Sequence, residues 1–197
     1  MKGRVFAILG PSGVGKDTLI GGAVAADPSL HWARRVITRP EEAGGEPYEG
    51  VTEAEFARRL AAGAFALHWQ AHGLQYGLPH AELAPLAQGR DVVFNGSRAS
   101  LGRARVVFPD IRLILVTAPP ALLAARLAAR GREPAEDIAQ RLSRAEFALP
   151  EGLVATEIAN DGTAAEGISR LLAALGRLPA PPKSTISTDR PRASVPE

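Results

Sequence analysis

The chain has 197 residues, of which 46% are hydrophobic, with 23 basic against 21 acidic side chains and no cysteine. That length and apolar content suit one compact domain. The absence of cysteine excludes disulfides and thiolate metal sites. The near balance of charge gives no reason to expect a nucleic-acid partner. No apolar run approaches the roughly 20 residues of a membrane span, and Met1-Lys2-Gly3-Arg4 leads into the first apolar run with no leader-peptide pattern. A cytoplasmic address, without membrane or nucleic-acid partners, is the expectation.

Residues 4–9 read as a strand buried on both faces. Gly10-Pro11-Ser12-Gly13-Val14-Gly15-Lys16-Asp17-Thr18 follows, and a helix is predicted over 16–26, stopping before Pro28. Strand, glycine loop and helix in that order, with Gly10-x4-Gly15-Lys16, are what a phosphate-binding loop requires. Glycines let several N–H groups turn inward on a polyphosphate, the helix adds its positive end, and Lys16 reaches the terminal phosphates. The pattern asks for Ser or Thr after the lysine; here Asp17 stands there, with Thr18 next. Asp17 either joins a magnesium site, alone or with Thr18, or caps the helix.

A short strand is expected at 35–37, ending in Thr38-Arg39-Pro40, and a polar, glycine-rich loop at 41–47. Thr52-Glu53-Ala54-Glu55 matches a capping box opening a helix that stops at Gly63. Strands are expected at 64–70 and just after Gly73, and a helix over 79–88 bent by Pro85. A strand at 91–94 closes on Asn95-Gly96, a helix follows over 97–107, and 111–116 is the most apolar strand. Pro119-Pro120 opens a helix to Arg130. Gly131 to Pro134 break it before another helix over 135–148. A last strand spans 154–159 and a last helix 163–175. Beyond about 178, proline and polar residues predict a disordered tail. Strands alternating with helices predict a parallel sheet with ligands at its C-terminal edge.

Phosphoryl transfer needs positive charge and positioning more than covalent chemistry. Arg130 and Arg132 flank Gly131 at a helix break, and Arg141 and Arg144 share one helix face. Together these four suit a lid. His68, His72 and His80 do not make a metal set, because their stretch reads as extended and interrupted by a turn.

The chain resembles the guanylate kinase-like branch of the P-loop kinases. The matching pieces are Gly10-Pro11-Ser12-Gly13-x-Gly15-Lys16, Thr38-Arg39-Pro40, Phe65-x3-Trp69, Tyr76-Gly77, Pro119-Pro120, Arg126-Leu127-x2-Arg130-Gly131, Arg141-Leu142 and Asn160-Asp161. Where that branch reads guanine, this chain carries His68, Leu78 and Asn95. Lys16-Asp17-Thr18, Val36-Ile37-Thr38-Arg39-Pro40, Ala64-Phe65-Ala66-Leu67-His68-Trp69 and Tyr76-Gly77-Leu78-Pro79 look instead like the ribose 1,5-bisphosphate phosphokinase family.

The resemblance implies an α/β P-loop domain over 1–177, with an acceptor region at 38–88, a lid at 130–145 and the tail at 178–197. It implies ATP as donor with magnesium, and ribose 1,5-bisphosphate as acceptor. Lys16, Arg130, Arg132, Arg141 and Arg144 would be catalytic. Gly10 to Thr18 and Asn160 would bind ATP, while Arg39, His68, Gln75, Tyr76 and Asn95 would bind the acceptor. A nucleoside monophosphate kinase of altered base preference and a non-catalytic binding module are the other readings.

Overall fold

The computed structural model describes residues 2–41, 45–129, 149–150 and 152–177. Five strands form a parallel sheet in the order β2-β7-β1-β8-β9: β1 (Val5–Leu9), β2 (Leu30–Trp32), β7 (Asp91–Asn95), β8 (Arg112–Thr117) and β9 (Thr156–Ala159). Every side chain of β1 is buried, as expected of a central strand covered on both faces. Its alternation splits the core. Phe6 and Ile8 face helices α1 (Lys16–Ala26), α4 (Pro120–Ala129) and α5 (Ala164–Ala174), while Val5, Ala7 and Leu9 face α3 (Leu101–Val107) and a second sheet.

That second sheet has the order β4-β3-β6-β5, from β3 (Arg35–Ile37), β4 (Tyr48–Gly50), β5 (Phe65–Ala71) and β6 (Leu74–Pro79). The alternation rule places 35–37 in the parallel sheet. Instead β3 runs antiparallel to β6, and the outer place in the parallel sheet goes to Leu30–Trp32, beside β7. Three-residue strands carry too little periodicity to choose a partner. Leu67, Trp69 and Leu78 of the second sheet pack into the same core as Leu9 and Phe94, which seats this sheet on the parallel one. His72 and Gly73 both have positive φ, 51° and 72°, and make the tight turn between β5 and β6.

Other boundaries differ in instructive ways. Residues His80–Gln88 form a 3-10 helix rather than an α-helix, consistent with Pro85 and its missing N–H. The helix expected over 97–107 begins as a 3-10 turn, Arg98–Ser100, before α3. Helix α2 (Glu53–Ala61) has Thr52 as its cap, accepting from the Glu55 N–H at 3.2 Å. Glu55 does not reach back. Its carboxylate takes hydrogen bonds from Arg58 and then Arg59, which hold its pKa down at about 2. The reciprocal capping box stands at α5 instead: Thr163 accepts from the Glu166 N–H, and Glu166 accepts from the Thr163 N–H at 2.7 Å. Among the described residues no helix is long and apolar enough to cross a membrane.

Candidate active site

The loop from Gly10 to Gly15 leaves β1 at the C-terminal edge of the parallel sheet and enters α1 at Lys16. Gly15 is the residue before the helix, at φ 94°. A Cβ there would also stand 2.7 Å from the Asn160 amide nitrogen, so both backbone conformation and space require glycine. Asn160, buried just after β9, donates to the Val14 carbonyl at 2.7 Å. Arg126 of α4 donates to the Asn160 carbonyl at 3.0 Å and to that of Val14 at 3.4 Å. Asn160 therefore supports the loop from behind. The Lys16 ammonium donates to the carbonyls of Gly10 (2.8 Å) and Pro11 (3.0 Å), which arches the loop around its own side chain. Ser12 and Thr18 are exposed, and Pro11 is half-buried.

Asp17 does not cap α1. Gly15 holds the cap position without a side-chain bond, and the Asp17 carboxylate is engaged elsewhere. Its Oδ1 accepts from the Asn95 amide at 2.7 Å, and the same amide nitrogen donates to Glu46 Oε2 at 2.6 Å. The other Glu46 oxygen accepts from Arg35, which also donates to the Asn95 carbonyl at 2.9 Å. Arg35, Glu46 and Asn95 are all buried. Among the described residues Asn95 Oδ1 has no hydrogen-bond partner, though it is buried. The amide orientation follows from the two carboxylates, since the reverse setting would face oxygen with oxygen.

The residues expected to bind the acceptor lie on or beside the second sheet. The Arg35 guanidinium lies 5.7 Å and 5.1 Å from the ring centroids of Trp69 and Tyr76, which stack in parallel 5.4 Å apart. Arg39 sits over the Tyr48 ring at 4.4 Å, and the Tyr48 hydroxyl donates to the Pro40 carbonyl. Burial pushes the Tyr76 phenol up, with Arg35 and Arg39 pulling the other way and Glu46 reinforcing the rise. The phenol therefore stays protonated, as a hydrogen-bond donor. His68 is held below its ordinary value by burial and then by the charge of Arg103, so it is neutral near pH 7. Gln75 pairs with Thr38 through its backbone, and the Thr38 hydroxyl accepts from the Gln75 N–H at 2.9 Å.

The structure thus brings Lys16, Asp17 and Asn95 together at one end, and Arg39 and Tyr76 on the adjoining sheet. Arg130, Arg132, Arg141, Arg144, the 130–145 lid, the helix over 135–148 and the 178–197 tail lie outside the described residues. Sequence reading missed Arg35, Glu46 and Tyr48. Arg35 carried a usable signal, a charge inside an apolar strand; Glu46 carried none, being one polar residue in a polar loop.

No family model matches the chain. Among solved structures, a guanylate kinase from Anaplasma phagocytophilum superposes with TM-score 0.62 at 20% identity, covering 89% of this chain and 85% of that one. A sugar kinase from a Janibacter species gives TM-score 0.51, also at 20% identity, over 90% and 97% of the two chains. These likenesses establish the guanylate kinase-like P-loop fold. Sequence relatives go further. A ribose 1,5-bisphosphate phosphokinase from a Ruegeria species is 54% identical over 169 residues, 85% of this chain and 88% of the relative.

The chain belongs to the ribose 1,5-bisphosphate phosphokinase family.

A further member of this family, from Rhizobium etli, is 42% identical over 90% of this chain and 91% of its own length. A bifunctional ribose 1,5-bisphosphokinase-thymidine phosphorylase from Cupriavidus necator is 47% identical over 88% of this chain, which spans only 29% of that larger protein. The resemblance carried by Lys16-Asp17-Thr18 and Tyr76-Gly77-Leu78-Pro79 is therefore one of family, and the chain is a P-loop kinase of guanylate kinase-like fold.

Proposed function

We propose that the protein transfers the γ-phosphoryl group of ATP to the 1-phosphate of ribose 1,5-bisphosphate. The products are ADP and 5-phospho-α-D-ribose 1-diphosphate. The bond from γ-phosphorus to the ADP oxygen breaks, and a new bond forms from that phosphorus to an oxygen of the acceptor's 1-phosphate. The setting is phosphonate catabolism in the cytoplasm, with no membrane or nucleic-acid partner.

The observation that carries this reading is the state of Asn95. Both hydrogens of its amide are committed to carboxylates of the protein, so it is not free to read a base. Leu78 is fully buried in the core, and neutral His68 is a poor substitute for a carboxylate. Guanine placed here would leave polar atoms unpaired, at about 1–3 kcal/mol each. Phosphate-directed groups persist in Arg39 and the donor hydroxyl of Tyr76, which suits a sugar carrying phosphate at both ends.

In this reading the loop amides and Lys16 hold the donor phosphates, and Arg39 and Tyr76 hold the acceptor. His68 and Gln75 face ribose hydroxyls, and Arg130, Arg132, Arg141 and Arg144 complete the charge around the moving group. Magnesium is assigned to Asp17 and Thr18. The described residues offer no group of three or more His, Cys, Asp or Glu that would cage a metal. Magnesium seldom needs one, since it binds one or two carboxylates with phosphate and water. Asp17 in the first turn after the loop, with the orphaned Asn95 Oδ1 nearby, fits that habit. When bound with ATP, magnesium would neutralise the charge on the β- and γ-phosphates.

The test is an acceptor panel of ribose 1,5-bisphosphate, GMP, AMP and dTMP, followed by ATP consumption and phosphorus NMR of the products. We expect kcat/KM for GMP to be at least roughly a thousandfold lower than for the bisphosphate. Comparable values would return the chain to the nucleotide kinases, and turnover of none would leave a binding module.

A further inference from the structure

We propose that Glu46 is a positioning residue for the metal end of the nucleotide loop, holding the Asp17 carboxylate in place through the Asn95 amide. This rests on the kinase reading of Asp17 but not on the identity of the acceptor.

Glu46 belongs to the segment before β4, on the acceptor sheet, yet its carboxylate reaches the end of β7 in the parallel sheet. Both of its oxygens are occupied, one by Arg35 and one by Asn95. Arg35 closes the arrangement by also gripping the Asn95 carbonyl. The Asn95 amide nitrogen carries two hydrogens; one goes to Glu46 and the other to Asp17. Glu46 therefore dictates how that amide is turned, and the amide dictates where Asp17 Oδ1 lies.

A second contact comes from the backbone. Gly45 has φ 109°, and a Cβ built on it would lie 2.8 Å from Asp17 Oδ2. The two oxygens of Asp17 are thus constrained by adjacent residues, Oδ1 by Glu46 through Asn95 and Oδ2 by the bare Cα of Gly45. Charge supports the same role. Arg35 balances Glu46, and the Asp17 carboxylate stands beside a buried acceptor, Asn95 Oδ1, that has no partner among the described residues. A hard cation suits that combination of oxygens.

Glu46→Gln separates this role from a purely structural one. Its amide can present an oxygen to Arg35 or to Asn95 but not to both, so the clamp on Asn95 is lost while the side-chain volume stays. The measurement is calorimetric binding of a non-hydrolysable ATP analogue to the full chain, with magnesium titrated and then removed by EDTA. We expect the magnesium concentration for half-maximal tight binding to rise about 10–100-fold, the effect of losing the partner of a metal ligand. Affinity in EDTA should stay within about twofold. Asp17→Asn combined with Glu46→Gln should be no worse than Asp17→Asn alone.

Additive losses, an equal fall in EDTA, or an unchanged magnesium dependence would each overturn the proposal. If Glu46→Gln does not fold, Gly45→Ala presses on Asp17 from the other side and must shift the magnesium dependence in the same direction; no shift there overturns it equally. No sugar phosphate enters this measurement. A chain that fails the acceptor panel can still pass it, and one that passes the panel can still fail here.

Discussion

Strand β7 begins and ends on a buried polar group, and the two ends are built in opposite ways. At its start, one carboxylate is surrounded by cations. Asp91 accepts from the Arg4 backbone N–H at 2.7 Å, from the Arg4 guanidinium at 2.6 Å and from Arg177 at 2.8 Å. At its end, one amide is shared by two carboxylates against a single guanidinium, and an acceptor is left over. In the first cluster both oxygens of the carboxylate are engaged, and it ties the strand to the residues after α5, with Arg4 also donating to the Leu175 carbonyl. The second is incomplete and anionic, and it lies beside the phosphate loop. A carboxylate whose oxygens are all engaged serves stability, whereas a cluster with a spare acceptor oxygen is prepared for a partner.

The comparison breaks most sharply at Lys16. Lys16→Ala should lower kcat by about 10²–10³ or more, with little change in melting temperature, since its ammonium lies at the loop and not in the hydrophobic core. Near-normal turnover would show that the loop is not the phosphate site. Asp91→Asn is the mirror experiment. It should cost about 3 kcal/mol in denaturant unfolding, the low end for breaking a buried pair, because Arg4 and Arg177 are partly exposed. Activity per folded molecule should be unchanged.

Acid sharpens the same contrast. Burial pushes the Asp91 carboxyl up, but the Arg4 hydrogen bonds and the charges of Arg4 and Arg177 outweigh it and leave the pKa below 3.8. A depressed carboxylate contributes stability that is fully present above its unfolded value and is lost as pH falls through the folded one. Wild type should therefore lose stability below about pH 4 more steeply than Asp91→Asn; parallel acid unfolding curves would remove Asp91 from that account. Asp17→Asn should do the reverse of Asp91→Asn. Stability should barely change, and the half-maximal magnesium concentration should rise about tenfold or more, measured by initial rates. The smallest effect is expected away from both clusters: Thr163→Ala, at the α5 cap, should cost about 1 kcal/mol by thermal unfolding and leave kinetics alone.

The legible parts of this molecule are those whose meaning is contiguous. Gly10 to Lys16 state strand, loop and helix within one run, and Val5–Leu9 states burial on both faces. The parallel sheet was legible through its long strands, but its outer member was misplaced, because Leu30–Trp32 and Arg35–Ile37 are equally short. The cluster at the end of β7 was not legible. Its members come from α1, β3, the segment before β4 and β7, and nothing in a polar loop announces that one glutamate is buried. Asp17 stood out only as a departure from the loop pattern. Its distinction from a helix cap needed the Asn95 contact, 78 positions away in sequence.

Asn95 also bears on how the protein ages. It is followed by Gly96, and Asn-Gly is the dipeptide in which the glycine nitrogen most readily attacks the asparagine side chain, expelling ammonia. Here that nitrogen is bonded to the Ile8 carbonyl at 2.9 Å, the amide is held by two carboxylates, and both are packed out of water. The fold thereby shelters a chemically labile pair. Should the reaction occur in an unfolded chain, it would place a third carboxylate between Asp17 and Glu46, and the damaged molecule would be driven apart where the Asn95 amide joins the segment before β4 to the first turn of α1.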